Sequence, residues 1–588
     1  MPFLSPSPPP FELEEWKKKP HLERLKPLVQ DWGENGFGSP GFAYLLYAVK
    51  LVIYVAGAFL VISLTPGLGG LGEIEDWWTE PIVFQKFAAW TLLWEILGLG
   101  AGSMPLSFRF NPPIGGPLYW LRPGRIRLPP WPDRIPFTAG NRRTPLDVAL
   151  YGAVVGAATF LLAASGEESA GLEAGRLPPE GIALLLGLLI LLGFRDKVSF
   201  LGARPEIYGP MLAVGLFPVD QWIPAWQFIF VFIWWGAAAS KLNHHFPFVV
   251  SVMISNAPWN RSKALKRRLW RDYPEDMRPS RLSAAIAHFG TVQEFTWPLL
   301  LLTVDNDIVR TIAIVGMIIF HLNITSMFPL AVPLEWNLFM IFGILFLFSG
   351  QHGDVPLSSL DDPLLIAMLA ILCVGFPLVG GMRPDKISFL PSMRYYAGNW
   401  ATTQWLFRKG SGAEEKLDTE IPKSARIISK QVGDIYDAEL AQYLQNRGLA
   451  FRAMHAHGRA LNALLPHAVD EVDAYDAREG ELISNVVNGW NFGDGHFHGK
   501  QLLDAVQQIC AFEPGEVRVI VLESEPTVGG RGFQRYEIYD AATGLIERGR
   551  VPVKAMVTSS PWLDESFDFP VEVEWRRETA ARKPAPVA

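Results

Sequence analysis

Residues 222–247 read WIPAWQFIFVFIWWGAAASKLNHHFP, an apolar run that closes on Lys241, His244 and His245. About 20 apolar residues suffice to cross a bilayer as a helix, so this stretch sets the class of fold before anything else is read. A charged side chain inside a membrane segment costs about 2.5–3.5 kcal/mol on insertion scales, so Lys241 needs a reason to be there. One reason is that it snorkels from the span end to the lipid headgroups. The other is that it is an enclosed base. Gly236, Ala237, Ala238, Ala239 and Ser240 precede it, and small residues let a second helix approach closely. A lysine desolvated against such a wall suits general-base chemistry. His245 sits one turn further along on the same face.

Other runs approach the same length. Residues 41–64, 82–101, 146–165, 181–194, 282–303, 308–330, 336–350 and 364–380 are candidate spans. Residues 207–219 form a shorter one, interrupted by Pro210 and Pro218, that either crosses or re-enters. With 49% hydrophobic residues, 21 Trp and 37 Phe in 588 residues, the expected fold class is a polytopic α-helical membrane domain of about ten spans with a C-terminal soluble α+β domain. Loop charges test that count. Residues 108–143 carry Arg109, Arg122, Arg125, Arg127, Arg134, Arg142 and Arg143, and residues 260–281 carry eight more bases. Residues 73–80, 305–307 and 350–362 are acidic without a base. Under the positive-inside rule this places both termini on the cytoplasmic side of a bacterial inner membrane. The loop at 112–136, dense in Pro, Trp and Arg, reads either as a headgroup-level layer touching anionic lipid or as a rigid connector.

The divisions expected are a surface segment at 1–40, the membrane domain at 41–387, an amphipathic connector at 388–416, a cytoplasmic α+β domain at 417–575, and a disordered tail at 576–588. Charge-rich residues 11–32 are expected to lie on the membrane surface, and no cleavable signal segment is evident. In the soluble part, 438–447, 459–465 and 501–509 read as helices. Residues 471–475, 481–487 and 516–523 read as strands, and 535–539 with 549–557 as a closing hairpin. Cys373 and Cys510 imply no disulfide framework.

Two constellations could carry chemistry. Within the membrane half, Lys50, Glu95, Lys241, His288, Glu294 and His321 all fall in the same half of the bilayer by their distance from the span ends. Intramembrane ionisable groups tend to face a cavity and pair. Lys50 and Glu95 are expected to form a structural ion pair, and Lys241, His288, Glu294 and His321 are the catalytic candidates. In the soluble half, residues 488–500 read NGWNFGDGHFHGK. On an extended segment Asp494, His496 and His498 would point one way and could hold a divalent metal. A further ligand would come from His455, His457 or His467. The bland alternative is a glycine-rich loop whose histidines are exposed or cap the next helix. The Val528–Gly532 glycines lack the Lys-Ser/Thr ending of a phosphate loop. No nucleophile elbow, kinase set, zincin motif or dinucleotide fingerprint is present, and no nucleic-acid partner is expected.

These residues resemble an actinobacterial multipass membrane family of unknown function. The likeness rests on WTEPIVF (78–84), YWLRPG with IRLPPWPDR (119–134), RTPLDVALY (143–151), SKLNHHFP (240–247) and GWNFGDGHFH (489–498). More distantly, GAAASKL (236–242) and HLNITSMFPLAVPLEW (321–336) are similar to the superfamily that includes the vitamin K-dependent γ-carboxylases. That resemblance implies that Lys241 deprotonates a reduced quinone. This chain departs from it in having only a small extramembrane domain with nothing like a propeptide-binding region. The resulting expectation is a carboxylase-like membrane enzyme acting on a lipid or quinone from the cytoplasmic leaflet. The alternative is a non-enzymatic lipid-binding or envelope-assembly scaffold that recruits a protein partner through its soluble domain.

Overall fold

Helix starts in this chain are written in proline and short polar residues. Pro81, Pro145, Pro179 and Pro205 each open a helix in the first turn, where the missing N–H has no helical partner to lose. Thr144 and Asp147 form a reciprocal capping box, and Asn306 and Asp362 each accept two backbone N–H groups. The computed structural model describes residues 3–100, 115–132, 134–327, 334–395, 397–490, 493–559 and 569–578. Arg109, residues 112–114 of the Arg-rich loop, residues 328–333 and the tail beyond residue 578 lie outside the described residues.

The helical half comprises α1 (His21–Asn35), α2 (Gly41–Ser63), α3 (Pro81–Ile96), α4 (Pro145–Ala163), α5 (Pro179–Arg195), α6 (Pro205–Val214), α7 (Trp222–Ser240), α8 (Phe246–Asn256), α9 (Lys263–Arg268), α10 (Arg281–Thr303), α11 (Asp307–Thr325), α12 (Leu334–Phe348) and α13 (Pro363–Met382). Five are long and apolar enough to cross a membrane: α2, α4, α7 with its preceding turn, α11 and α13. The expected count of about ten is not supported. Helices α3, α5, α6 and α12 hold 16, 17, 10 and 15 residues. At about 1.5 Å per residue they fall short of the ~30 Å hydrocarbon core. Helix α10 has 23 residues but carries Arg281, His288 and Glu294. Helix α3 is almost wholly buried among α2, α4, α6 and α12, which explains why its sequence is apolar all round. Helix α13 contains a π-turn at Ala370–Gly375, just before Pro377, whose ring removes a backbone donor.

The C-terminal half is built on a six-stranded antiparallel sheet: β1 (Thr402–Arg408), β2 (Tyr475–Glu479), β3 (Val517–Leu522), β4 (Phe533–Asp540), β5 (Gly544–Pro552) and β6 (Glu572–Arg576). The spatial order is β6-β5-β4-β3-β1-β2. Strand β1 lies inside the stretch expected to be a surface connector. Thr402–Phe407 are all buried, with Trp405 and Phe407 in one core and Leu406 in the other. Helices α14 (Ala438–Met454) and α15 (Ala456–Ala468) cover one side. Helices α16 (Gly480–Asn488) and α17 (Lys500–Cys510) lie on the side that shares its core with the membrane helices.

Three expectations change here. The strand expected at 481–487 is helix α16, because Ile483, Val486 and Val487 bury one helical face at spacings of three and four. The strand expected at 471–475 starts at Tyr475 instead. Helix α1 places its apolar face on α14 and α8: Leu25, Leu28, Val29 and Trp32 join that core, and Asp31 pairs with Arg447 at 2.5 Å. The described part of the Arg-rich loop acts as a rigid connector. Tyr119, Trp120 and Arg125 donate to the carbonyls of residues 485–488, capping the C-terminal end of α16. Gly489, at φ +80°, ends that helix, and a Cβ there would run into the Tyr119 ring.

Candidate functional site

Helix α7 ends at Ser240, and the turn that follows is tied by Asn243. Its carbonyl oxygen accepts from the His245 and Phe246 N–H groups, and its amide donates to Ser240 O and Ala397 O. Lys241 therefore sits at the helix end with its side chain turned inward, 7% exposed. On α7, Ile233, Trp234, Ala237 and Lys241 recur at spacings of one, three and four and face the same space. On α10, Ala287, Gly290 and Glu294 do the same from the other side. Between them lies a cavity of about 360 Å³, closed further by Phe246, Val249, Phe320, Trp336 and Tyr395. That volume is in the range of small-molecule sites, and its lining is predominantly apolar.

The polar groups of this cavity are few. Lys241 Nζ donates to both Glu294 oxygens, at 2.7 and 2.5 Å, and both side chains are buried. The ammonium also lies 5.6 and 5.8 Å from the ring centres of Phe246 and Phe320. His321 receives the Trp234 indole N–H on Nε2 at 3.0 Å, and its Nδ1 lies 2.8 Å from Asn337 Oδ1. An indole only donates, so Nε2 is the acceptor and Nδ1 carries the proton. His321 is thus a neutral imidazole with both nitrogens engaged, a fixed part of the wall. His288 is exposed on α10 and does not line the cavity. Sequence reasoning missed Trp234, Trp336, Asn337 and Tyr395. Asn337 had a signal, as a lone amide in an apolar helix.

Lys50 and Glu95 are both buried, but among the described residues no ion pair within 4 Å joins them. Glu335 on α12 and Glu95 both act on Lys50 by charge, and Arg204 also acts on Glu95. Arg204 pairs with Glu206 at 2.7 Å and lies 5.0 Å from the Trp336 ring centre and 5.5 Å from that of Tyr395. Trp336 and Tyr395 thus separate this second polar cluster from the cavity.

The Asp494–His498 cluster is built differently from a metal centre. Asp494 starts a short turn of helix, Gly495–Phe497, so the alternation expected of an extended segment is absent. His496 bridges two carboxylates, Asp494 Oδ1 and Glu523 Oε2, each at 2.8 Å. Burial works against the imidazolium, but these two carboxylates push its pKa up to about 10. Burial alone would raise the Asp494 carboxyl. The His496 charge, with donors from His496 and Ser388, holds it well below the usual carboxylate range instead. His498 is pushed down to about 3 by burial and bonds Thr403 Oγ1 through Nδ1 at 2.6 Å. A protonated imidazole held between two acids has no lone pair for a metal. Among the described residues no group of three His, Cys, Asp or Glu is placed to hold one. His455 and His457 stack on each other, and His467 pairs with Glu547 at 2.7 Å.

The two halves meet beside Lys241. His245 Nε2 lies 3.1 Å from Glu525 Oε2, and Asn399 and Glu525 exchange two hydrogen bonds of 2.8 Å. Gly398, at φ +75°, lies against the His245 carbonyl, where a Cβ would come within 2.8 Å. Comparison with curated proteins and with solved structures finds no match. The profile of one family spans residues 1–574, almost the whole chain. The five helices long enough to cross a membrane agree with its description: the chain belongs to the family of transmembrane proteins of unknown function designated DUF3556.

Proposed function

We propose that the helical half binds an amphipathic lipid or a quinone in the cavity at Lys241, and that the Lys241–Glu294 pair acts on it as an acid–base unit. The observation that carries this reading is the doubly hydrogen-bonded Lys241–Glu294 pair inside an otherwise apolar 360 Å³ space. An ammonium has no lone pair, whereas a carboxylate does. Glu294 would therefore take a proton from a ligand hydroxyl, and Lys241 would hold the oxyanion that forms. His321, locked by Trp234 and Asn337, would shape the chamber. The distant likeness to quinone-dependent carboxylases agrees with a lysine at this place but assigns it the proton-accepting role. The loop charges favour an inner membrane with the basic loops on its cytoplasmic side.

A second reading, lipid binding without chemistry, is favoured by the same closed pair, which is also what a purely structural pair looks like. Native mass spectrometry of the detergent-purified chain tests the shared part. A retained lipid or quinone is expected, lost in Gly290→Phe, which fills the cavity from a position where an added Cβ meets nothing within 4 Å. Retention unchanged by that plug would refute the site. Comparing the retained species in wild type and in Lys241→Met/Glu294→Leu separates the readings. Chemistry predicts a different species in the variant, and binding alone predicts the same one.

A further inference from the structure

The cavity does not open at random. Of the side chains that line it, Trp259, Leu265 and Asn323 are exposed, and they mark its mouth. Trp259 reaches across to α11, its indole donating to Ser326 at 3.0 Å. Leu265 belongs to α9, whose sequence is KALKRR. Beside the mouth, α10 turns Phe289 and Val292 outward, 64% and 59% exposed, and α11 turns out Ile319 and Leu322. Faces this apolar on helices of a transmembrane protein meet lipid tails. The mouth is therefore bordered by a lipid-facing surface on one side and by a basic platform on the other.

That platform is only partly neutralised. Lys263 and Arg267 share Glu34, at 3.2 and 2.5 Å. Arg261 and Arg268 are exposed, and among the described residues neither makes an ion pair. Inside the cavity the charge balance is different, because Lys241 is matched by Glu294. The interior is net neutral and mainly apolar, and the rim is net positive.

Resting on the reading that the cavity is a ligand site, we propose that its ligand is a membrane lipid with an anionic headgroup. The headgroup lies on Arg261 and Arg268, and the apolar part passes Trp259 and Leu265 into the cavity. Juxtamembrane Lys and Arg attract anionic headgroups at about 1 kcal/mol each, so two such cations give a preference of up to about 30-fold. A neutral quinone has no group for this rim.

The test uses the full chain in nanodiscs of phosphatidylglycerol mixed with phosphatidylcholine, with lipids retained after detergent extraction counted by native mass spectrometry. The wild type is expected to retain the anionic lipid preferentially. Arg261→Gln/Arg268→Gln is expected to lose about tenfold or more of that preference while still retaining lipid, and Gly290→Phe is expected to retain little of either lipid. An unchanged preference in the double variant, with Gly290→Phe still emptying the site, overturns the headgroup assignment and leaves the cavity reading standing. Retention by Gly290→Phe equal to wild type overturns the cavity reading itself. Preference abolished by free phosphate at millimolar concentration would assign the rim to a soluble anion and overturn the lipid.

Discussion

Removing one member of the Lys241–Glu294 pair leaves the other as an unmatched, buried charge in a mainly apolar space. Both side chains are less than a tenth exposed, and the pair is closed by two hydrogen bonds of 2.7 and 2.5 Å. Breaking a buried pair from one side costs about 3–5 kcal/mol, whereas replacing both members with apolar groups of similar volume is often neutral. Lys241→Met and Glu294→Leu are each expected to destabilise the protein by about 3–5 kcal/mol. The double variant should return to within ~1 kcal/mol of wild type, since two apolar side chains extend a wall already made of Ile233, Ala237, Phe246 and Phe320. Thermal unfolding in detergent, followed by tryptophan fluorescence, reads this as large drops for the singles and near recovery for the double. Raising the salt from 0.15 to 1 M should leave the single-variant deficits in place, because a buried pair is screened little. If Lys241 instead snorkels to the surface, Lys241→Met falls within about 0.5 kcal/mol of wild type. That result, or strict additivity of the two substitutions, would sink the reasoning.

The His496 bridge gives a pH prediction with a definite sign. Its pKa is raised from 6.5 to about 10 in the fold, so its stabilisation is fully present below pH 6.5 and is lost as pH rises through 10. Equilibrium stability measured from pH 6 to 10.5 should fall across that window, and His496→Gln should flatten the fall; an equal slope in the variant would exclude the bridge as its source. A fragment covering 417–575 lacks β1, which pairs with β2 on one side and β3 on the other. It should show no cooperative unfolding by circular dichroism, and a sharp transition would show that the sheet closes without the strand that joins β2 to β3.

The long apolar runs were the legible part of the fold: α2, α4, α7, α11 and α13 appear close to where the sequence places them. The span count was not legible, because an apolar helix buried by protein reads like one buried by lipid. Helix α3 is the case in point: nearly every residue is buried among neighbouring helices, so its hydropathy carries no record of what surrounds it. The Asp494–His498 cluster misled for a related reason. Asp, His and His at alternate positions are also what a buried charge bridge needs, and the partner that decides, Glu523, lies 27 residues from His496 at the end of β3. At the membrane site, Lys241, Glu294 and His321 could be found as polar residues in apolar runs. Their pairing could not, because it depends on how α7 and α10 cross.

Several of the motifs that carry the family likeness turn out to tie segments together, within the helical half and across to α16. Arg143 pairs with Asp196, Arg127 donates to carbonyls at Thr138, Ala139, Arg142 and Arg195, and Asp147 pairs with Arg195 at 2.5 Å. The SKLNHHFP turn does both jobs. Its Lys241 faces the cavity, its Asn243 holds the Ala397 carbonyl, and its His245 meets Glu525 beyond the end of β3. Tyr395, a wall of the cavity, stands seven residues before Thr402, the first residue of β1. The segment between them is pinned at Ala397, Gly398 and Asn399. A ligand of the proposed kind that moves the Tyr395 ring or the α7–α8 turn would pull on the segment leading into β1 and on the His245–Glu525 contact. The segment that leads into the sheet thus contributes one wall of the cavity through Tyr395, and the sheet itself contributes none of its lining.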